Sequence, residues 1–146
     1  MRLPLALLLA LLLALLCCHA QACDGLKLAH VWLRQPPPGS EVAAAYFEAH
    51  NEGQTELIIQ GVGSPNFTGA MLHGTRIVDG HAEMRPQGDI VLAPGGRFSA
   101  APGGVHVMLS GAQQPLQDGV TLTLEMRCAH GAPLRVSLPV LRNAPP

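Results

Sequence analysis

Two hydrophobic patterns divide the chain. The first 22 residues are dominated by a Leu/Ala run, and beyond them apolar residues come in short stretches that alternate with polar ones. The alternation is cleanest toward the C-terminus. There Val120, Leu122, Leu124 and Met126 are interleaved with Thr121, Thr123 and Glu125, and Leu134, Val136, Leu138 and Val140 with Arg135, Ser137 and Pro139. A period of two marks strands with one buried face. The same reading predicts strands at 26–33, 42–50, 57–61, 70–78, 82–85, 89–92, 97–100 and 105–109. Clusters such as Pro36-Pro37-Pro38-Gly39, Asp79-Gly80, Ala93-Pro94-Gly95-Gly96 and Ala101-Pro102-Gly103-Gly104 separate these stretches and leave no room for a helix of ordinary length. About seven to nine short strands in one domain predict an all-β fold, a β-sandwich or Greek-key barrel. Residues 143–146 read as a frayed end.

The leader changes the picture of compartment. Arg2 precedes the apolar run Leu3 to Leu16, and Ala20-Gln21-Ala22 supplies the small-x-small pattern that signal peptidase accepts. Residues 1–22 are therefore expected to be a cleaved secretory signal, leaving a single domain at 23–146. The run is shorter than the roughly 20 residues that span a bilayer, and no charged stop-transfer flank follows. Without Arg2 the chain carries 8 Lys+Arg against 10 Asp+Glu, which offers no basic face for nucleic acid or anionic lipid. Cleavage would remove Cys17 and Cys18, leaving Cys23 and Cys128, which should pair in an oxidising compartment. Lipid attachment at Cys23 is the minority alternative, because Gln21 is polar where a lipobox has a small or apolar residue.

Among six His and four Met beyond the leader, His73, Met84, His106 and Met108 stand out. His106 and Met108 are two apart on a short strand, so both leave the same face. If Asp79-Gly80 is a two-residue hairpin turn, Val78 pairs with His81 and Thr75 with Met84, which sets His73 diagonal to Met84 on one face. The same parity turns His81 away, whereas Met71 shares the face of His73 and is a spare sulfur candidate. Two imidazoles and two thioethers form a soft, uncharged donor set that suits Cu(I). Zinc prefers thiolate, imidazole or carboxylate, and calcium and magnesium take oxygen. A blue-copper site would need a Cys ligand with His and Met close after it, and Cys128 has only His130 nearby. No paired carboxylates, nucleophile motif or three-ligand zinc pattern suggests an enzyme.

The spacing His73, ten residues, Met84, twenty-one residues, His106-Val107-Met108 resembles the signature of the periplasmic PCu(A)C copper chaperones. The chance of this frame arising by accident from the chain's own composition is about two in ten thousand. Trp32, Pro37-Pro38-Gly39 leading into Ala43-Ala44-Ala45-Tyr46, Ser64-Pro65, Met84-Arg85-Pro86 and Pro102-Gly103-Gly104-Val105 also look like the family, and the resemblance covers about residues 26–140. It implies a cupredoxin-like β-sandwich, monomeric and periplasmic, that binds one Cu(I) through His73, Met84, His106 and Met108. The implied role is to pass that copper to an acceptor, in the family's case the dinuclear copper centre of cytochrome c oxidase, without catalysis. Copper storage or resistance, or an interaction module without metal, are the rival functions. Gly74 departs from the family, where many members carry a further Met. The chain also ends without the His/Met-rich tail that some relatives use for a second copper, so one metal is expected. Of the remaining residues, Met126 reads as core and Trp32 as core or site edge. His30, His50 and His130 read as surface groups, and Arg85 as facing away from Met84.

Overall fold

The computed structural model describes residues 23–146, so the expected signal peptide at 1–22 lies outside the described residues. Ten strands follow one another without a helix among the described residues: β1 (Leu26–Arg34), β2 (Val42–Asn51), β3 (Leu57–Gly63), β4 (Phe67–Val78), β5 (His81–Pro86), β6 (Ile90–Leu92), β7 (Arg97–Ala100), β8 (His106–Ala112), β9 (Thr121–Cys128) and β10 (Leu134–Leu141). Every stretch with strand-like alternation forms a strand. The count exceeds seven to nine because the short segments β6 and β7 both pair, with β3 and β2 respectively.

One sheet runs β5-β4-β8-β2-β1 with β7 added to β2, and the other runs β10-β9-β3-β6. A short parallel pairing of Leu33 with Val140 and Arg34 with Leu141 joins them. The inner faces meet over one core. Leu33, Phe47, Val107 and Leu109 from the first sheet and Ile59, Leu124, Met126, Leu138 and Val140 from the second are all fully buried or nearly so. These are the alternate positions of each strand, so the period of two in the sequence becomes the two faces of each sheet. The result is a cupredoxin-like β-sandwich.

Two ties hold the loops to this core. Cys23 and Cys128 are joined by a disulfide with their Cα atoms 5.4 Å apart, fixing the segment just before β1 to the end of β9. Asn51, the one fully buried polar residue among those described, donates from Nδ2 to the carbonyls of Thr55 (2.8 Å), Leu92 (2.9 Å) and Ala93 (3.2 Å). Its Oδ1 accepts the Gly53 N–H at 2.9 Å. In the sequence Asn51-Glu52-Gly53 reads only as a turn. The fold makes it a bracket between the loop after β2 and the loop after β6.

Replacing both Cys23 and Cys128 by Ala should lower unfolding stability by about 2–5 kcal/mol, because the cross-link closes a loop of roughly a hundred residues. Asn51→Leu should cost about 2–4 kcal/mol, since it orphans buried backbone groups that the amide satisfied. Urea unfolding monitored by circular dichroism checks both.

Candidate metal centre

The β4–β5 hairpin turns at Asp79 and Gly80, whose φ values of 50° and 79° are the positive pair that a tight two-residue turn requires. Val78 pairs with His81 and Thr75 with Met84, the register that the turn predicts. His73 pairs with Pro86, so His73 and Met84 are diagonal neighbours on one face, and exposed His81 is out of phase with Met84.

The second half of the site comes from β8. Pairing between β4 and β8 sets His73 directly opposite His106 and Met71 directly opposite Met108. Leu72, Val107 and Leu109, the intervening positions, are buried in the core. The apolar face thus forces the donors to the outside of the sheet: a slip of one residue would bury the imidazoles and expose the leucines. The two imidazole rings stand edge to face with centroids 6.1 Å apart.

Each imidazole has one nitrogen accounted for. Nδ1 of His106 lies 3.3 Å from the Gly104 carbonyl oxygen, which can only accept, so Nδ1 carries the proton and Nε2 is left with a lone pair. The same carbonyl accepts the Thr75 N–H at 3.3 Å, pinning the Ala101–Gly104 turn to β4. Nε2 of His73 lies 3.1 Å from the Met71 sulfur, while its Nδ1 is buried with no hydrogen-bond partner.

Sulfur surrounds these nitrogens. Met84 is 64% exposed and Met71 51%, and both stand at the rim, whereas Met108 is half-buried. Met84, His106 and Met108 line a hollow of about 290 Å³ whose other walls include Arg34, Pro36, Pro37, Ala44 and Tyr46. Tyr46 stacks against Trp32 at 5.0 Å, and the Arg34 guanidinium lies over both rings at 5.6 and 5.7 Å. Trp32 is thus buried behind Tyr46 at the edge of the site. Arg34 and Tyr46 were not legible as site residues, because only the pairing of β1 and β2 with β8 carries them there; their nearest signal was the Pro36-Pro37 and Ala44-Ala45-Tyr46 stretches.

The other singled-out residues lie elsewhere. Met126 is fully buried in the core. His30 is paired with Glu48 at 3.3 Å and His50 with Glu52 at 3.5 Å, both on the far end of β1 and β2, and His130 is exposed in a turn. Arg85 pairs with Glu83 at 2.9 Å on the face opposite Met84. A side chain at Gly74 would also emerge on that opposite face, toward Gln87 and Val105. Among the described residues no three His, Cys, Asp or Glu gather at metal-binding distance.

The family model described as "Putative lipoprotein LpqE-like" matches residues 26–140. The chain belongs to the LpqE-like, PCu(A)C-type family. This LpqE-like domain is 29% identical over 118 residues to "Putative lipoprotein Lxx21020" of Leifsonia xyli subsp. xyli, covering 80% of this chain and 70% of that protein. Its fold matches the apo PCuAC domain from PmoF1 with a TM-score of 0.67 and 27% identity, over 87% of this chain and all of the other. It also matches DR1885 from Deinococcus radiodurans at 27% identity, over 85% of this chain and 83% of that one. The TM-score is 0.65 for the apo form and 0.60 for the CuI form.

The hydrogen bond to Gly104 predicts that neutral His106 is the Nδ1–H tautomer. Long-range ¹H–¹⁵N correlation on the metal-free protein above pH 8 should show a protonated Nδ1 and an unprotonated Nε2 for His106.

Proposed function

We propose that the domain is a copper chaperone that carries one Cu(I) on the outer face of the β4–β8 ladder, held by His73, Met84, His106 and Met108. The observation that carries this reading is the strand register, which opposes His73 to His106, Met71 to Met108, and leaves Met84 diagonal to His73 on the same face. Neutral imidazole and thioether donors bind Cu(I) without demanding the square-planar geometry or harder ligands of Cu(II). The fold and family likeness, including a relative solved in its CuI form, support the same cargo.

Loading and release follow from where the donors sit. The Met84 sulfur is at the surface and Met108 is half-buried, so an incoming protein's ligands can replace the thioethers one at a time while the imidazoles still hold the ion. Four of the five exposed large apolar residues among those described, Val42, Met71, Ile77 and Met84, lie on the outer face of this sheet. An apolar surface around a metal site excludes water from a docked complex and keeps Cu(I) reduced. The acceptor we infer is a copper-binding protein of the same compartment, with the dinuclear copper centre of cytochrome c oxidase as the first to test. The activity is transfer of the ion, with no bond of a substrate made or broken.

Export in an oxidising compartment, after removal of residues 1–22, fits the Cys23–Cys128 disulfide. Lipid attachment through Cys23 would need the same sulfur, so the disulfide-bonded domain is a soluble carrier in this proposal, and a monomer.

Anaerobic Cu(I) titration against a chromophoric chelator should show one tight equivalent. His106→Ala should weaken binding by about 100-fold or more and Met84→Ala by about 10-fold or less, since a thioether is the weaker and more exposed donor. Failure of the wild-type domain to compete, or unchanged affinity in His106→Ala, would remove the site.

A further inference from the structure

Five donors, one more than Cu(I) needs, share the outer face, and they approach from two sides. Met84 reaches in from β5 and lines the hollow of about 290 Å³ with His106 and Met108. Met71 comes from the other side, lining a separate groove of about 510 Å³ with Met108, Gly69 and Ser110. Met108 borders both, and His73 and His106 stand opposite each other beside it. Three donors are therefore common to two arrangements that differ in the sulfur closing them.

Met71 is in ligand range already. Its sulfur is 3.1 Å from Nε2 of His73. Metal bonds of about 2.0 Å to nitrogen and 2.3 Å to sulfur, meeting at a tetrahedral angle, separate the two donors by about 3.5 Å. A shift of a few tenths of an ångström in an exposed, unbranched side chain lets both touch one ion. Direct pairing with Met108 across the ladder sets the two methionines side by side on one face, where both line the same groove.

Resting on the Cu(I) reading of this site, we propose that Met71 is an alternate thioether ligand, interchangeable with Met84. With Met84 bound, the ion is closed from the side of Arg34 and Tyr46. When Met84 is displaced toward an acceptor, Met71 takes the fourth place, so the ion never falls to three protein donors during exchange. No electron moves: one copper–sulfur bond breaks as another forms, and copper stays Cu(I).

The test is anaerobic Cu(I) competition with wild type, Met71→Leu, Met84→Leu and the double variant, together with ¹³C-methyl methionine spectra during loading. Leucine keeps the apolar volume of these exposed positions, so the fold is preserved. Each single change should weaken Cu(I) binding by less than about tenfold, and the double change by more than about a hundredfold, a coupling that independent residues do not show. The Met71 methyl should shift on loading in wild type and shift further in Met84→Leu. A double variant that binds like Met84→Leu, with an unmoved Met71 methyl, would overturn the proposal while leaving the four-ligand site intact. Weakening by about 100-fold or more in His106→Ala alongside that result would show that only the role of Met71 is wrong.

Discussion

Everything at the site depends on one constraint, the burial of Leu72, Val107 and Leu109 between the two sheets. These residues fix the register of β4 on β8, because a shift by one would expose them and bury imidazole in their place. Once the register is set, the alternation of side chains along a strand does the rest. Met71 and His73 project outward from one strand, and Met108 and His106 from its neighbour, as opposed pairs. The proposed metal donors are thus positioned by the hydrophobic core lying directly beneath them. That arrangement gives precision to a site made of flexible thioethers without enclosing it.

The surroundings grade the donors by freedom to move. His106 is held by the Gly104 carbonyl and His73 has a buried nitrogen, whereas Met71 and Met84 are about half exposed or more. Partly buried imidazoles with exposed thioethers suit the proposed role of holding an ion and then surrendering it. The supporting contacts reach into neighbouring strands: the Ala101–Gly104 turn is fastened to β4, and Tyr46 with Trp32 and Arg34 walls the side toward β1. The disulfide and Asn51 lie away from the donors and hold loops, which separates stability of the domain from chemistry of the site.

Much of this was legible in the sequence because it is local. Asp79-Gly80 specifies a two-residue turn, and counting outward from it yields the pairing of Thr75 with Met84. Alternation in β9 and β10 marks the core face, and Met126 falls on it. What was not legible is long-range. Nothing in the local pattern says that β4 pairs with β8 over the thirty-odd residues between His73 and His106, so the grouping of the two His/Met pairs rested on their donor chemistry and on family resemblance. The role of Asn51 was hidden for the same reason, since its amide bonds loops that meet only after both sheets have formed. Tyr46 and Arg34 reach the site only through the pairing of β1, β2 and β8.

The measurement that bears most directly on this account is anomalous diffraction at the copper edge from crystals of the Cu(I)-loaded domain grown without oxygen. The account predicts a single peak on the outer face of the first sheet, between His73 and His106 and within bonding distance of Met108 and of Met84 or Met71. A peak beside His30 and His50, or copper scattered over surface histidines with none between β4 and β8, would contradict it.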